Sequence, residues 1–140
     1  MRQVRILVVA GLVLGFAAAA LAQSYPSRPV KVIVPFPPGD AADILSRLIG
    51  PKVSERTGQP MIVENRAGAS GQIGLEVLKN SPADGYTIGV GQGGNLVVAP
   101  HTYKKLPYDP LKDFVPVALL ATNYLAVVAN PNVPFKTAGE

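Results

Sequence analysis

Five segments between Pro29 and Val90 alternate between two hydrophobic periods, and that alternation restricts the fold more than any other feature of the chain. Pro29-Val-Lys-Val-Ile-Val-Pro35 is a β-branched run closed by proline at each end, the pattern of a strand buried on both faces. Pro37-Pro38-Gly39 breaks it. Asp40 and Asp43 then precede Ile44, Leu45, Leu48, Ile49 and Val53, whose spacing draws an apolar stripe along one side of a helix. The two carboxylates stand where a helix start favours negative charge. Pro51 should kink this helix or end its regular part at Gly50, and Thr57-Gly58 closes it. Met61–Glu64 reads as a second strand, residues 65–70 as a glycine-containing loop, and 71–79 as a second helix with Ile73, Val77 and Leu78 inward. After a turn at 81–85, Tyr86–Val90 is a third strand, followed by a glycine-rich loop at 91–94. Such a succession with short loops implies parallel pairing through right-handed crossovers. The fold class is therefore α/β, a parallel sheet with flanking helices.

Beyond the third strand come a Pro- and Lys-containing stretch, 103–110, and two apolar runs, 114–120 and 124–129. Residues 130–140 have the composition of an approach to a further helix. A parallel sheet of three to five strands normally has more helices over its faces, so the expectation is that Glu140 is not the natural C-terminus.

At the other end, Met1–Arg5 is a short basic start, and Ile6–Ala22 follows with seventeen residues carrying no charge and no polar side chain. Ala20-Leu21-Ala22 places small residues where a signal peptidase accepts them. We expect a signal peptide over 1–22, cleaved after Ala22, and an exported, periplasmic mature chain. The apolar run is at the short limit for a membrane span and lacks a stop-transfer cluster.

Charge and composition remove several function classes. Lys and Arg number 13 against 9 Asp and Glu; without Arg2 and Arg5 the bias falls to two, and no run of like charge exists. Nucleic-acid binding through a basic patch is disfavoured. The chain has no cysteine, which excludes disulfides, thiolate metal sites and cysteine nucleophiles. His101 is the only histidine, so a multi-imidazole metal site is impossible and a Ser-His-Asp triad would have to pass through it. Beside Pro100 it reads as a loop histidine.

Three loops fall on the sheet edge at the strand C-termini, where open α/β sheets bind ligands. The first, 36–43, delivers backbone N–H groups and the positive end of a helix dipole, a setting for a carboxylate or other anion. The second, 65–71, repeats the arrangement with small side chains that let a ligand approach the backbone. The third, 91–95, does so again. Gly89-Val-Gly91-Gln-Gly-Gly94 formally fits the G-x-G-x-x-G dinucleotide pattern, but it follows the third strand instead of the first and meets Pro100 soon after. There is no phosphate loop of the G-x-x-x-x-G-K-[ST] type and no G-x-S-x-G elbow. Asp40 and Asp43 are accounted for by helix capping, and Arg66 could meet either an anionic ligand or Glu64. No nucleophile, base and oxyanion site assemble, so no enzymatic activity and no cofactor are expected. The alternative is an exported dinucleotide-binding enzyme resting on the 89–94 glycines alone.

Motifs spread along the chain also carry a resemblance. Tyr25-Pro-Ser-Arg-Pro29, Val34-Pro-Phe-Pro-Pro-Gly39 with Asp43, Val63-Glu-Asn-Arg66 with Gly68 and Gly71, Asp84-Gly-Tyr-Thr87, and Tyr103-Lys-Lys-Leu-Pro-Tyr-Asp-Pro110 with Lys112-Asp-Phe114 occur in that order. Together they resemble the Bug-type extracytoplasmic solute receptors, the substrate-binding proteins of tripartite tricarboxylate transporters. The resemblance implies a two-lobed, type II periplasmic binding-protein fold. It divides the chain into a leader at 1–22, most of lobe one at 23–123 and a crossover toward a largely missing lobe two at 124–140. It implies a monomeric receptor that holds a small organic acid between its lobes and passes it to membrane permease subunits, or in some cases signals instead. Carried over, the ligand contacts are Phe36, Gly39, Asp40, Ala41, Ala42 and Asp43 from the first loop and Gly68, Ala69 and Ser70 from the second. Gln92, Gly93, Gly94 and Asn95 would join from the third.

This chain departs from the family pattern at Asp40, where a glycine is usual, at Ala42, where Ser or Thr is usual, and at Gly93-Gly94, where hydroxyls are usual. A carboxylate in a carboxylate-binding loop repels its ligand unless it turns away or accepts a hydrogen bond from the loop itself. The departure points to a ligand less acidic or bulkier than a diacid, such as a monocarboxylate, an amide or an aromatic acid.

Overall fold

A computed structural model describes residues 25–124 and, beyond them, 126, 128, 130 and 132. The expected signal segment 1–22, with its cleavage after Ala22, lies outside the described residues, as does most of the 124–140 crossover.

The alternation foreseen between Pro29 and Val90 is present as β1 (Val30–Val34), α1 (Ala41–Thr57), β2 (Met61–Asn65), α2 (Gln72–Lys79) and β3 (Thr87–Gly89). The strands form one parallel sheet in the order β2-β1-β3. In register, Val32 lies beside Val63 and Ile88, and Ile33 beside Glu64 and Gly89. Val32 and Val34 pack with Ala42 of α1, and Phe36, Met61, Val63, Ile88 and Val90 close round them. On the opposite face, Gly89 lies against the Leu78 side chain of α2. The two helices thus cover opposite faces of β1. That reversal opens a crevice at the C-terminal end of this central strand.

Both helices bury only part of the stripe that the apolar spacing suggests, and turn small residues onto the sheet beside it. On α1 the buried residues are Ala42, Asp43, Ser46 and Gly50, whereas Ile44 is 57% and Leu48 63% exposed; Leu45, Ile49 and Val53 are half-buried. Ala42, Ser46 and Gly50 are four apart and small, so they let the helix backbone come down onto the bulky β-branched side chains of the sheet. Ser46 Oγ donates to the Ala42 carbonyl at 2.7 Å, which removes the cost of burying its hydroxyl. Pro51 does not end α1, which runs on to Thr57. Gly50, just before it, has no Cβ to collide with the proline ring, which removes one part of the usual bar to helical geometry before proline.

In α2 the buried residues are Gly74 and Leu75, while Ile73 and Val77 are exposed and Leu78 is half-buried. A Cβ at Gly74 would lie 2.6 Å from Pro35 Cβ and 2.8 Å from the Arg66 carbonyl oxygen, so the absence of a side chain there sets how close α2 lies to β1. Past β3, a π-helical turn (Gly94–Val98) continues into α3 (Ala99–Thr102), which places His101 in a short helix, exposed, instead of in a loop. Residues 114–120 form no strand, and Val115, Val117 and Leu119 are more than four-fifths exposed. Among the described residues the sheet has three strands.

The motifs near the strand N-termini hold the fold at the edge away from the crevice. Arg28 pairs with Asp84 at 2.8 Å and lies over the Tyr86 ring, while the Tyr25 hydroxyl donates to the Gly85 carbonyl at 2.6 Å. Lys79 of α2 meets Asp113 at 2.9 Å and so ties down the 107–113 segment.

Candidate functional site

The three expected loops meet at the C-terminal end of β1. Loop one carries Asp40 as the N-cap of α1, in extended geometry, with its Oδ1 accepting from the Ala42 N–H at 2.9 Å. Its neighbour Asp43 is 4% exposed and joins three elements. Its Oδ2 accepts from the Gly39 N–H, and its Oδ1 from Arg47 Nε and Asn65 Nδ2, each at 2.9 Å. Asn65, at the end of β2, also donates to the Phe36 carbonyl at 3.1 Å and accepts from Arg47 at 3.0 Å. The Gly39 N–H, then Asn65 and Arg47, hold the Asp43 carboxyl below its ordinary range, against the opposing effect of burial.

Loop one therefore keeps little of its polarity for a ligand. The N–H groups of Gly39, Asp40 and Ala42 bond to Asp43, to the Pro37 carbonyl and to Asp40 itself. Those of Ala41 and Asp43 have no acceptor among the described residues. The Phe36 ring is half-buried: it packs against the core, and its edge lies 3.4 Å from the position of a Cβ on Gly71 in loop two.

Loop two is built without any capping side chain. Gly68, Ala69, Ser70 and Gly71 have φ of 137°, 46°, 55° and 91°, four successive positive values of which two belong to non-glycine residues. Strain of this kind persists only where the surroundings over-determine it, and it concentrates at functional sites. The Gly71 N–H closes the turn on the Gly68 carbonyl at 2.9 Å, leaving the Ala69 and Ser70 N–H groups without an acceptor among the described residues. Arg66 pairs with Glu64, which resolves its two possible roles; Lys31 at 2.9 Å, then Arg66, hold Glu64 below its ordinary range.

Loop three joins the other two. Gln92 Nε2 donates to Asp40 Oδ1 at 2.9 Å, a bond across 52 residues of sequence, and the Gln92 N–H donates to Asn95 Oδ1 at 2.9 Å. Asn95 is 2% exposed, and its Nδ2 has no hydrogen-bond partner among the described residues. That nitrogen points at the second loop: a Cβ on Gly71 would lie 2.7 Å from it and 3.4 Å from the Phe36 ring. Tyr108, buried, donates to the Asn95 carbonyl at 2.6 Å and fixes the residue from behind. Gly39, Gly93 and Gly94 face open space, with nothing within 4 Å of a Cβ built on them.

Of the residues expected at the site, Asp40, Gln92 and Asn95 are brought into one hydrogen-bonded chain, and Gly68, Ala69 and Ser70 stand beside it. Asp43 lies beneath, as a fastener. Asn65, Arg47 and Tyr108 were absent from the expected set and hold its members in place; Asn65 and Tyr108 lie within the motifs that carry the resemblance, and Arg47 stands at i, i+4 from Asp43. Two of the three glycines of the dinucleotide-like pattern have packing explanations, Gly89 against Leu78 and Gly91 against Leu96, while Gly94 faces open space. A separate concavity of about 320 Å³ between α1 and β2, lined by Ser46, Gly50, Ser54 and Met61, lies on the flank of the sheet. No cluster of three or more His, Asp or Glu side chains suited to a metal ion occurs among the described residues.

Comparison with known proteins matches residues 45–140 to the family model described as tripartite tricarboxylate transporter family receptor. The chain is 39% identical over 137 residues to Protein BugT of Bordetella pertussis, covering 95% of this chain and 42% of BugT. Among solved structures, MatC of Rhodopseudomonas palustris with bound malate is similar at 41% identity and a TM-score of 0.66, over 69% of this chain and 33% of MatC. The periplasmic binding protein BugD is similar at 36% identity and a TM-score of 0.61, over 64% of this chain and 30% of BugD. The chain thus spans less than half the length of each of these relatives.

Proposed function

The chain belongs to the tripartite tricarboxylate transporter receptor family, with the α/β fold of its periplasmic binding proteins, and on that footing we propose that it supplies the first-lobe wall of a carboxylate-binding site. In this reading the protein is a periplasmic receptor that captures a small organic acid between two lobes and presents it to membrane permease subunits, without covalent chemistry. The ligand meets Phe36, Gly39, Asp40, Ala41, Ala42 and Asp43 on loop one, Gly68, Ala69 and Ser70 on loop two, and Gln92, Gly93, Gly94 and Asn95 on loop three. Ala42, Asp43 and Asn95, all buried, act by shaping the loops; the others line the rim.

The observation that carries the reading is the meeting of the three loops at the one sheet edge where α1 and α2 leave opposite faces of β1. Free N–H groups at Ala69 and Ser70, backed by the strained turn, are donors suited to a carboxylate oxygen. Bound malate in MatC supports the same ligand class.

A thermal-shift screen of the mature gene product against mono-, di- and tricarboxylates, aromatic acids, amino acids and NAD(P) tests it. A ligand that binds only the folded state, at about a hundred times its Kd, adds about 2.7 kcal/mol of stability. Stabilisation by a carboxylate without turnover is the expected result. A response to NAD(P) alone would overturn the reading and move attention to the glycines at 89–94.

A further inference from the structure

We propose that Gln92 is a positioning residue: its side-chain amide clasps loop three to Asp40 of loop one and sets the two loops in binding geometry before a solute arrives. The proposal deepens the receptor reading above and rests on it.

Loop three is closed on itself and tied to the rest of the rim at a single point. The Gln92 N–H donates to Asn95 Oδ1, and the Gln92 carbonyl accepts from the Asn95 and Leu96 N–H groups at 3.2 and 3.0 Å. These bonds shape the turn but do not say where it stands relative to its neighbours. Among the described residues, the bond from Gln92 Nε2 to Asp40 Oδ1, at 2.9 Å, is the only hydrogen bond from residues 91–95 to loop one or loop two. Packing adds no second tie at the tip, because nothing lies within 4 Å of a Cβ built on Gly93 or Gly94. Two adjacent glycines in open space leave the backbone free to depart from the rim unless the residue beside them is held.

Asp40 is a fixed anchor for that bond. It is the N-cap of α1, its own N–H donates to the Pro37 carbonyl at 3.2 Å, and its Oδ1 also accepts from the Ala42 N–H. No ion pair with another described residue competes for the carboxylate, since the nearby Arg47 is committed to Asp43 and Asn65. An amide donating to an ionised acceptor makes a bond roughly twice as strong as a neutral one. A glycine at this position, usual in the family pattern, offers no acceptor, so the clasp is particular to this chain. A rim assembled only part of the time binds more weakly by that fraction, and by the same factor for every solute. Opening the clasp should therefore weaken all acids alike, whereas a group that touches the solute discriminates among them.

The test is calorimetric titration of the mature gene product with succinate, malate, adipate and benzoate, beside 15N relaxation of the Gly93 and Gly94 amides without ligand. Gln92→Ala leaves the Asp40 cap and the backbone bonds of the turn in place. It should weaken each acid that binds by one common factor of about ten, with the ligand-free Tm within about 4 °C of wild type. The Gly93 and Gly94 order parameters should fall from the rigid range of about 0.85 to below about 0.6. Gln92→Glu sets two carboxylates against each other and should act in the same way. Adding Asp40→Asn to it gives the glutamate an amide donor and should restore the order of both glycines. A loss confined to some of the acids would put Gln92 on the solute and overturn the positioning role. Unchanged affinity, a larger fall in Tm or no rescue by the double variant would overturn it too, and each leaves the receptor reading standing. If no acid binds the wild type, that reading falls, and the relaxation of Gly93 and Gly94 decides the clasp by itself.

Discussion

Loops one and two occupy equivalent places, each leading from the C-terminal end of a strand into a helix on the same edge of the sheet, yet they are built by opposite means. Loop one is held by side chains: Asp40 caps α1, and Asp43 gathers Gly39, Asn65 and Arg47. Loop two is held by backbone shape, through four positive φ values and the close seat of α2 on Pro35. Side-chain capping consumes N–H groups and brings negative charge to the rim. Backbone shape leaves N–H groups free and brings none.

The sharpest way to break the contrast is at Gly74. A methyl there meets Pro35 Cα at 2.7 Å and the Arg66 carbonyl at 2.8 Å, both backbone atoms that cannot rotate away. Gly74→Ala should destabilise by about 3 kcal/mol and lower Tm by more than about 10 °C, measured by calorimetry. A near-neutral result would mean that α2 can slide along the sheet without harm.

Asp43→Ala attacks loop one in the same way and should come second, with a Tm loss of about 5–10 °C. Its pH dependence separates it from a packing defect. Because the Gly39 N–H, Asn65 and Arg47 lower its folded-state pKa, the group stabilises the fold above the ordinary carboxylate value of about 4. That stabilisation is lost as pH falls from there through the folded value. Glu64, Asp109 and Asp113 are also held low and titrate in the same window, so the readout is the difference between wild type and Asp43→Asn in Tm against pH. The variant should show the shallower decline between pH 5 and pH 2.

Ser70→Gly sharpens the comparison from the other side. Ser70 sits at φ 55°, where a Cβ costs about 1–2 kcal/mol; glycine removes that but adds chain entropy to the unfolded state. A net gain of about 0.5 kcal/mol is expected, seen as a higher denaturation midpoint at unchanged m. Loss of stability would show that the serine side chain holds the turn, for instance through Tyr103, whose hydroxyl lies 3.4 Å from Ser70 Oγ.

How much of this was legible beforehand follows the range of the interactions. The cap at Asp40, the αL closure at Gly58 and the strand positions depend on neighbours a few residues away, and local pattern finds them. The buried faces of α1 and α2 do not. Ile44, Leu48, Ile73 and Val77 dominate any hydropathy stripe, while the contact is made by Ala42, Ser46, Gly50 and Gly74, whose value is their smallness against a sheet already filled with β-branched side chains. Pro51 misleads for a similarly local reason, since Gly50 relieves one of the clashes by which proline disfavours a helix. The site divides in the same way: three loops at one edge follow from element order, whereas the bond from Gln92 to Asp40 and the orphaned amide of Asn95 exist only once the chain has closed on itself.

The smallest expected effect on stability belongs to Asp40→Gly, the substitution that makes loop one more like loop two. Glycine is nearly as good an N-cap as aspartate, so the cost should be only a few tenths of a kcal/mol. What changes is the chemistry presented to the ligand. The Ala42 N–H loses its acceptor, Gln92 Nε2 loses its tether, and the uncompensated charge disappears. Both loops would then offer free N–H groups at a helix start, a setting matched to two carboxylates instead of one. Affinity for succinate or malate should rise relative to that for monocarboxylates, with Tm in the absence of ligand almost unmoved. If Tm falls by several degrees and the affinities keep their order, Asp40 serves loop one as a structural cap, and the asymmetry of the rim has its origin elsewhere.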